Sequence, residues 1–123
     1  MSRWACFVIV PPQLAVTSES LVVSIDVAVH CRVTDPRSAV YGIANYVLGL
    51  EQVVTITLRQ MLGSMDLGQT LNGRDQISRR VRGALDAAAG PWGIAVHRVE
   101  LTSIEPWDRE RRAVRGALAR ADP

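Results

Sequence analysis

Lysine is absent from this chain: all 14 basic residues are arginine. That excludes a Gly-x-x-x-x-Gly-Lys phosphate loop, so the glycines between Gly63 and Gly73 carry no phosphate-cradling signature. A GC-rich coding sequence accounts for the bias more readily than arginine-specific chemistry does. Cysteine is scarce too, with only Cys6 and Cys31 among 123 residues, too few for a disulfide framework in a chain of this size. Cys31 shares the apolar parity of its strand and reads as a small buried hydrophobe, which makes a reducing compartment the expected setting. Long apolar runs are missing as well. The segment Trp4 to Val10 stops at Pro11-Pro12, well short of the roughly twenty residues of a membrane-spanning helix. It also lacks the extended core and cleavage site of a secretory signal, so no anchor or leader is expected from this sequence. A formal charge of +2 is too small and too dispersed to indicate nucleic-acid binding.

What is present describes one globular domain. Hydrophobic residues make up 48% and charged residues 21%, outside the range of disordered chains. A chain of this length buries roughly two-thirds of its unfolded surface. Phe7 to Val10 and Leu14 to Thr17 read as short strands around a Pro11-Pro12 turn. Val22 to Val33 is the clearest strand, because Val23, Ile25, Val27, Val29, Cys31 and Val33 share one parity while Ser24, Asp26, His30 and Arg32 share the other. One buried and one wetted face is the antiparallel pattern. Asp35-Pro36 reads as the cap and first residue of a short helix.

A longer helix is expected from Tyr46 to Leu62, with Val47, Leu50, Val54, Leu58 and Met61 on one face, ending at Gly63. Asp66 suits the cap of a single turn through Leu71. Asn72 with Asp75 resembles a capping pair for a helix reaching Ala89, whose Ile77, Val81, Ala84, Leu85 and Ala88 face the core. The last strand, Gly93 to Ile104, changes parity. Ile94 and Val96 are out of phase with Val99 and Leu101, which predicts a bulge near His97-Arg98. Strands, then helices, then a strand give an α+β domain, an antiparallel sheet with helices packed against it.

Catalytic and metal signatures are weak. His30 and Cys31 are adjacent on a strand and point to opposite faces, and neither Cys-x-x-Cys nor His-x-x-x-His spacing accompanies them. Ser64, Ser78 and Ser103 lack a nucleophile elbow. Glu105 and Asp108 sit beside arginines and read as solvated ion pairs. No catalytic residue, cofactor or metal is therefore assigned. The arginines fall into two groups. Arg79, Arg80 and Arg82 read as a solvated helix face. Arg109, Arg111, Arg112, Arg115 and Arg120 lie on a terminal stretch with a sparse apolar stripe of Trp107, Val114 and Leu118. That stretch fits a packed terminal helix, the stub of a coiled coil, or a basic amphipathic surface for anionic lipid or an acidic partner. Trp92 reads as a plug at the junction of helix and sheet.

Several of these pieces, taken in order, resemble one family. Val10-Pro11-Pro12-Gln13, the strand Val22 to Val33 followed by Thr34-Asp35-Pro36, Val40-Tyr41 and Asn45-Tyr46 match its first half. Thr57-Leu58-Arg59, Gly63-Ser64-Met65-Asp66-Leu67, Arg74-Asp75-x-Ile77, Leu85-Asp86-x-Ala88, Pro91-Trp92-Gly93-Ile94 and Ile104-Glu105-Pro106 match its second. In that order and spacing they resemble the stomatin, prohibitin and flotillin superfamily, the SPFH or band 7 domain, in the manner of bacterial stomatin-like proteins. The resemblance implies a partial domain over residues 1–106, with the family's hydrophobic anchor and first strand-rich subdomain missing, and a short basic helix over residues 107–123. It further implies a non-enzymatic scaffold that self-associates or joins related SPFH proteins and organises membrane-associated proteins, a membrane protease among them. Such a protein would be cytoplasmic or peripheral at the inner face of the cell membrane. Trp107, Arg109, Arg111, Arg112 and Arg115 are the candidate partner or lipid contacts. The alternative is a peripheral adaptor that binds anionic lipid or nucleic acid through its arginine clusters.

Overall fold

A computed structural model describes residues 5–35 and 43–107. Three strands, β1 (Ala5–Val16), β2 (Val22–Val33) and β3 (Ile94–Pro106), form an antiparallel sheet in the order β1-β2-β3. Among the described residues three α-helices, α1 (Ile43–Leu62), α2 (Leu67–Asn72) and α3 (Arg74–Ala89), intervene between β2 and β3. Helix α1 packs on β1 and α3 packs on β3 and on α1, so the core lies between the helices and one face of the sheet. This is the α+β arrangement expected from the order of elements. The short helix read at Asp35-Pro36 falls on residues 36–42 and the terminal helix on 108–123, both outside the described residues.

The β-branched alternation of β2 does what its parity dictates. Val23, Ile25, Val27, Val29 and Cys31 are buried on the inner face, Asp26 and His30 are half-buried, and Arg32 is exposed. Neighbouring strands extend this into rows. Val8, Val29 and Val99 form one inner row, and Val10, Val27 and Leu101 the next. In β3 the register steps from Arg98 opposite His30 to Val96 opposite Cys31, which leaves His97 as the extra residue of a bulge. That is where the parity change in the sequence places it, and Ile94, Val96, Val99 and Leu101 are all buried as a result. A second shift, between Asp26 and Val27, leaves Thr102 unpaired.

At Pro11-Pro12 the expected turn is instead a register shift inside one continuous strand. Prolines have no N–H to give to a ladder, and an edge strand tolerates them where a bulge absorbs the irregularity. The buried Gln13 fixes this point. Its side-chain amide donates to the Pro11 carbonyl at 2.6 Å, and its carbonyl oxygen accepts from the Thr55 hydroxyl on α1.

Helix α1 contains Val53-Val54-Thr55-Ile56-Thr57, a β-branched run with poor intrinsic helicity. Packing holds it. Leu50, Val54, Leu58 and Leu62 recur every fourth residue and are fully buried, with Val47 and Met61 at the margin. Helix α1 stops at Gly63, whose N–H reaches the Arg59 carbonyl, and Asp66 with Gln69 closes a reciprocal capping box on α2. Glu19, in the turn between β1 and β2, accepts from the Leu67 N–H at 2.7 Å, and Ser18 N–H bonds the Met65 carbonyl at 2.9 Å. The hairpin turn is thereby fastened to the junction between α1 and α2. The capping pair expected at Asn72 and Asp75 does not form. Gly73 is the N-cap of α3, with no side-chain capping bond, because α2 runs into α3 with a single residue between them. On α3 the buried stripe is Ile77, Val81, Leu85 and Ala89, while Ala84 and Ala88 are half-buried.

Beyond α3, Gly90-Pro91-Trp92 makes one 3-10 turn that ends at Gly93, whose φ of 75° only glycine adopts freely. The Trp92 ring then covers Gly49 on α1, and a Cβ added at Gly49 would meet that ring at 2.7 Å. Trp92 is thus the plug that its position suggests, seated because α1 has no side chain there.

The cysteines correct the reading of Cys31 as an isolated hydrophobe. Cys6 and Cys31 face each other across β1 and β2 with a Cα separation of 5.0 Å and are joined in a disulfide. Spacing alone could not reveal this, because register, and not sequence distance, brings the two together.

Two outcomes follow. Replacing Gly49→Ala should lower the unfolding free energy by about 1–3 kcal/mol through overpacking against Trp92. Gly83→Ala, at a helical position with no atom within 4 Å of the added Cβ, should raise it by about 0.5–1 kcal/mol. Urea unfolding of both variants measures the contrast, and equal effects would contradict the close approach. Reduction of Cys6–Cys31, which closes a separation of 25 residues, should remove about 3 kcal/mol. Unfolding with and without reductant, alongside a thiol count under denaturant, reads this directly.

Candidate functional site

The chemistry-bearing residues are dispersed rather than gathered into a pocket. His30 lies on the outer face of β2, against the Phe7 ring at 4.8 Å, with Nε2 3.6 Å from Glu100 Oε1. Arg98 donates to the same carboxylate at 2.7 Å. Arg98 and Glu100 form an exposed ion pair beside the imidazole, worth little to stability in solvent. Cys31, next to His30 in sequence, points to the opposite face and is bonded to Cys6, so the two share no ligand site. His97 is exposed on its bulge. No cluster of His, Cys, Asp and Glu able to hold a metal occurs among the described residues.

Two of the serine hydroxyls face backbone. Ser64 donates to the Met61 carbonyl and Ser78 to that of Val99. Asp86 accepts from the Val96 N–H at 3.1 Å and the Arg74 guanidinium donates to the Leu101 carbonyl, so both of these charges fasten α3 to β3. Each is a structural strut by its contacts.

Three surfaces remain. Arg79, Arg80 and Arg82 are exposed on α3 and make no ion pair among the described residues. Beside them an open groove of about 620 Å³ runs between the end of α1, α2 and the start of α3. Met61, Met65, Gln60, Asn72, Gln76 and Arg80 contribute to its lining. Neither pattern carried a signal in the sequence beyond ordinary polar helix faces.

The third surface is the outer face of β1. Phe7, Ile9, Leu14 and Val16 all project there, between 44% and 73% exposed. The register shift at Pro11-Pro12 makes this possible. Phe7 and Ile9 lie opposite His30 and Ala28, and Leu14 and Val16 opposite Ser24 and Val22, all even-numbered outward positions of β2. Reading two short strands around a turn hid this surface. The available signal was that β1 contains no charged residue over its whole length.

Of the contacts expected at the end of the chain, Trp107 is half-buried, and its N–H bonds the Val22 carbonyl at 2.8 Å, tying the exit of β3 to the start of β2. Arg109, Arg111, Arg112 and Arg115 lie outside the described residues.

Comparison with known proteins places these features in context. The pattern of the SPFH domain / Band 7 family matches residues 7–120. An uncharacterized protein of Mycobacterium tuberculosis is 47% identical over 117 residues, covering 85% of this chain and 31% of the relative. A stomatin homolog of Pyrococcus horikoshii is 34% identical over 96 residues, 78% of this chain and 36% of the relative. Stomatin-1 of Caenorhabditis elegans is 36% identical over 105 residues, 85% of this chain and 32% of the relative. The chain therefore spans about a third of the length of these three curated relatives.

Proposed function

Because the chain belongs to the SPFH domain / Band 7 family, we propose that it is a non-enzymatic, stomatin-like scaffold that self-associates, alone or with related SPFH proteins, and organises membrane-associated proteins. The observation that carries this reading is the family match over residues 7–120, joined by relatives that bear the name stomatin. The dispersal of the histidines and serines, with Ser64 and Ser78 bonded to backbone carbonyls, is in keeping with a binding role. A membrane protease is one candidate for the organised partner.

Among the described residues no helix is long and apolar enough to cross a membrane. Attachment is assigned to a partner or to the segment 107–123, in which Trp107, Arg109, Arg111, Arg112 and Arg115 would meet anionic headgroups or an acidic surface. The proposed location is the cytoplasm or the inner face of the cell membrane. The Cys6–Cys31 disulfide pulls the other way, since disulfides persist in oxidising compartments. The thiol state of protein extracted under acid quench decides between the two sides.

Sedimentation of the intact chain and of a chain ending at Pro106 tests assembly by the terminal segment. The expected outcome is concentration-dependent small oligomers that weaken on truncation; oligomers unaffected by it refute that role. Flotation with phosphatidylglycerol vesicles, against phosphatidylcholine controls, tests the lipid contact. Binding through these four arginines should fall steeply with salt, and salt-independent binding would point elsewhere.

A further inference from the structure

Among the described residues the outer face of β1 leaves an apolar stripe uncovered, and its spacing bears on what would cover it. Phe7 and Ile9 lie on one side of Pro11-Pro12, and Leu14 and Val16 lie on the other, all on one face and all exposed. The series is self-complementary. Turned end for end about the Pro11-Pro12 bond, the stripe sets Phe7 against a second Val16, Ile9 against a second Leu14, and Pro11 against a second Pro12.

We propose that this face docks a second copy of the same chain, with the two β1 strands antiparallel about a two-fold axis beside Pro11-Pro12. A two-fold interface needs one patch to match itself, and this stripe does. Charge agrees with the geometry. Strand β1 carries no charge, whereas the outward row on β3 carries Arg98, Glu100 and Glu105. Two copies meeting along β1 and splaying apart towards β3 leave those charges at a wet rim, the usual division of an interface, with the half-buried Asp26 of β2 the charged side chain nearest the contact.

The prolines decide how the contact is made. With no N–H at the axis, the two edges cannot zip into one continuous ladder, so side chains carry the contact. A shallow depression of about 530 Å³ lined by Phe7, Ile9, Pro11, Pro12, Asp26 and Ala28 lies where the partner's Leu14 would seat. A contiguous stripe of large apolar groups at this exposure is the kind of patch that marks an interaction site. None of the residues of this stripe belongs to the segment 107–123, so its failure and the failure of the terminal-helix reading are separately visible.

The test uses the full chain, with Ile9→Glu and Leu14→Arg as single variants. Both positions point to solvent within one chain, so melting of each variant should stay close to that of the parent. Ile9→Thr and Leu14→Thr, which suit an exposed strand, replace any variant whose melting shows misfolding. Sedimentation across a concentration series should give dimers for the parent chain. Each charged variant should dissociate about a hundredfold more readily, the effect of leaving an unpaired charge in an apolar contact. An equimolar mixture of the two should recover to within about tenfold of the parent. In the mixed dimer the carboxylate introduced at position 9 meets the guanidinium introduced at position 14 of the partner, and the other Ile9–Leu14 contact stays native. A parent chain that is monomeric throughout overturns the proposal, as do variants that dimerise like the parent. A mixture that stays monomeric overturns it as well, because only the two-fold register predicts recovery.

Discussion

The sheet depends on keeping apolar side chains in phase over strands of twelve or thirteen residues. Side chains alternate strictly along a strand, so one slipped residue turns a core face into a solvent face. Strand β2 keeps phase by sequence alone, and its neighbours do not. Strand β1 corrects itself at Pro11-Pro12, and β3 does so at His97 and again at Thr102. With these corrections Val10, Val27 and Leu101, or Val8, Val29 and Val99, line up as continuous rows beneath α1 and α3. Gln13 is the polar exception on the inner face, and it is there because it holds the β1 correction in place through Pro11 and Thr55.

The helical layer rests on this platform instead of on its own propensities. The β-branched centre of α1 is helical because Leu50, Val54, Leu58 and Leu62 find the sheet. Trp92 then closes the far end by covering Gly49, a contact made possible by the left-handed turn at Gly93. The near end is closed by Glu19 and Ser18, which tie the hairpin to the junction of α1 and α2. Loops at both ends of the sheet thus act as fasteners between the layers.

Features that depend on one periodic element were legible in the sequence: the β2 faces, the His97 bulge, the Asp66 cap, the Gly63 stop. Those that depend on two elements meeting were not. Cys6 and Cys31 are 25 residues apart, and only the register of β1 against β2 makes them neighbours. The stripe Phe7, Ile9, Leu14 and Val16 changes parity halfway, so no single period describes it. Gly73 displaced the expected Asn72 cap because α2 and α3 abut. The candidate contacts at Arg109 to Arg115 belong to a segment whose apolar stripe is too sparse to fix its own partner, and the family pattern alone speaks for it.

Strands β1 and β3 run in the same direction on either side of β2, so Ala5 and Pro106 lie at opposite ends of the sheet. A mechanical load applied between those two points would not peel the strands apart one bond at a time. It would slide β1 and β3 along β2 in opposite senses, and every rung of both ladders would resist at once. The Cys6–Cys31 bond sits next to the end where β1 would be pulled, so that strand cannot slide while the bond is intact. Under such a load the oxidised pair of sulfurs would lock the β1–β2 ladder and leave the β2–β3 ladder, held by hydrogen bonds alone, as the one free to yield.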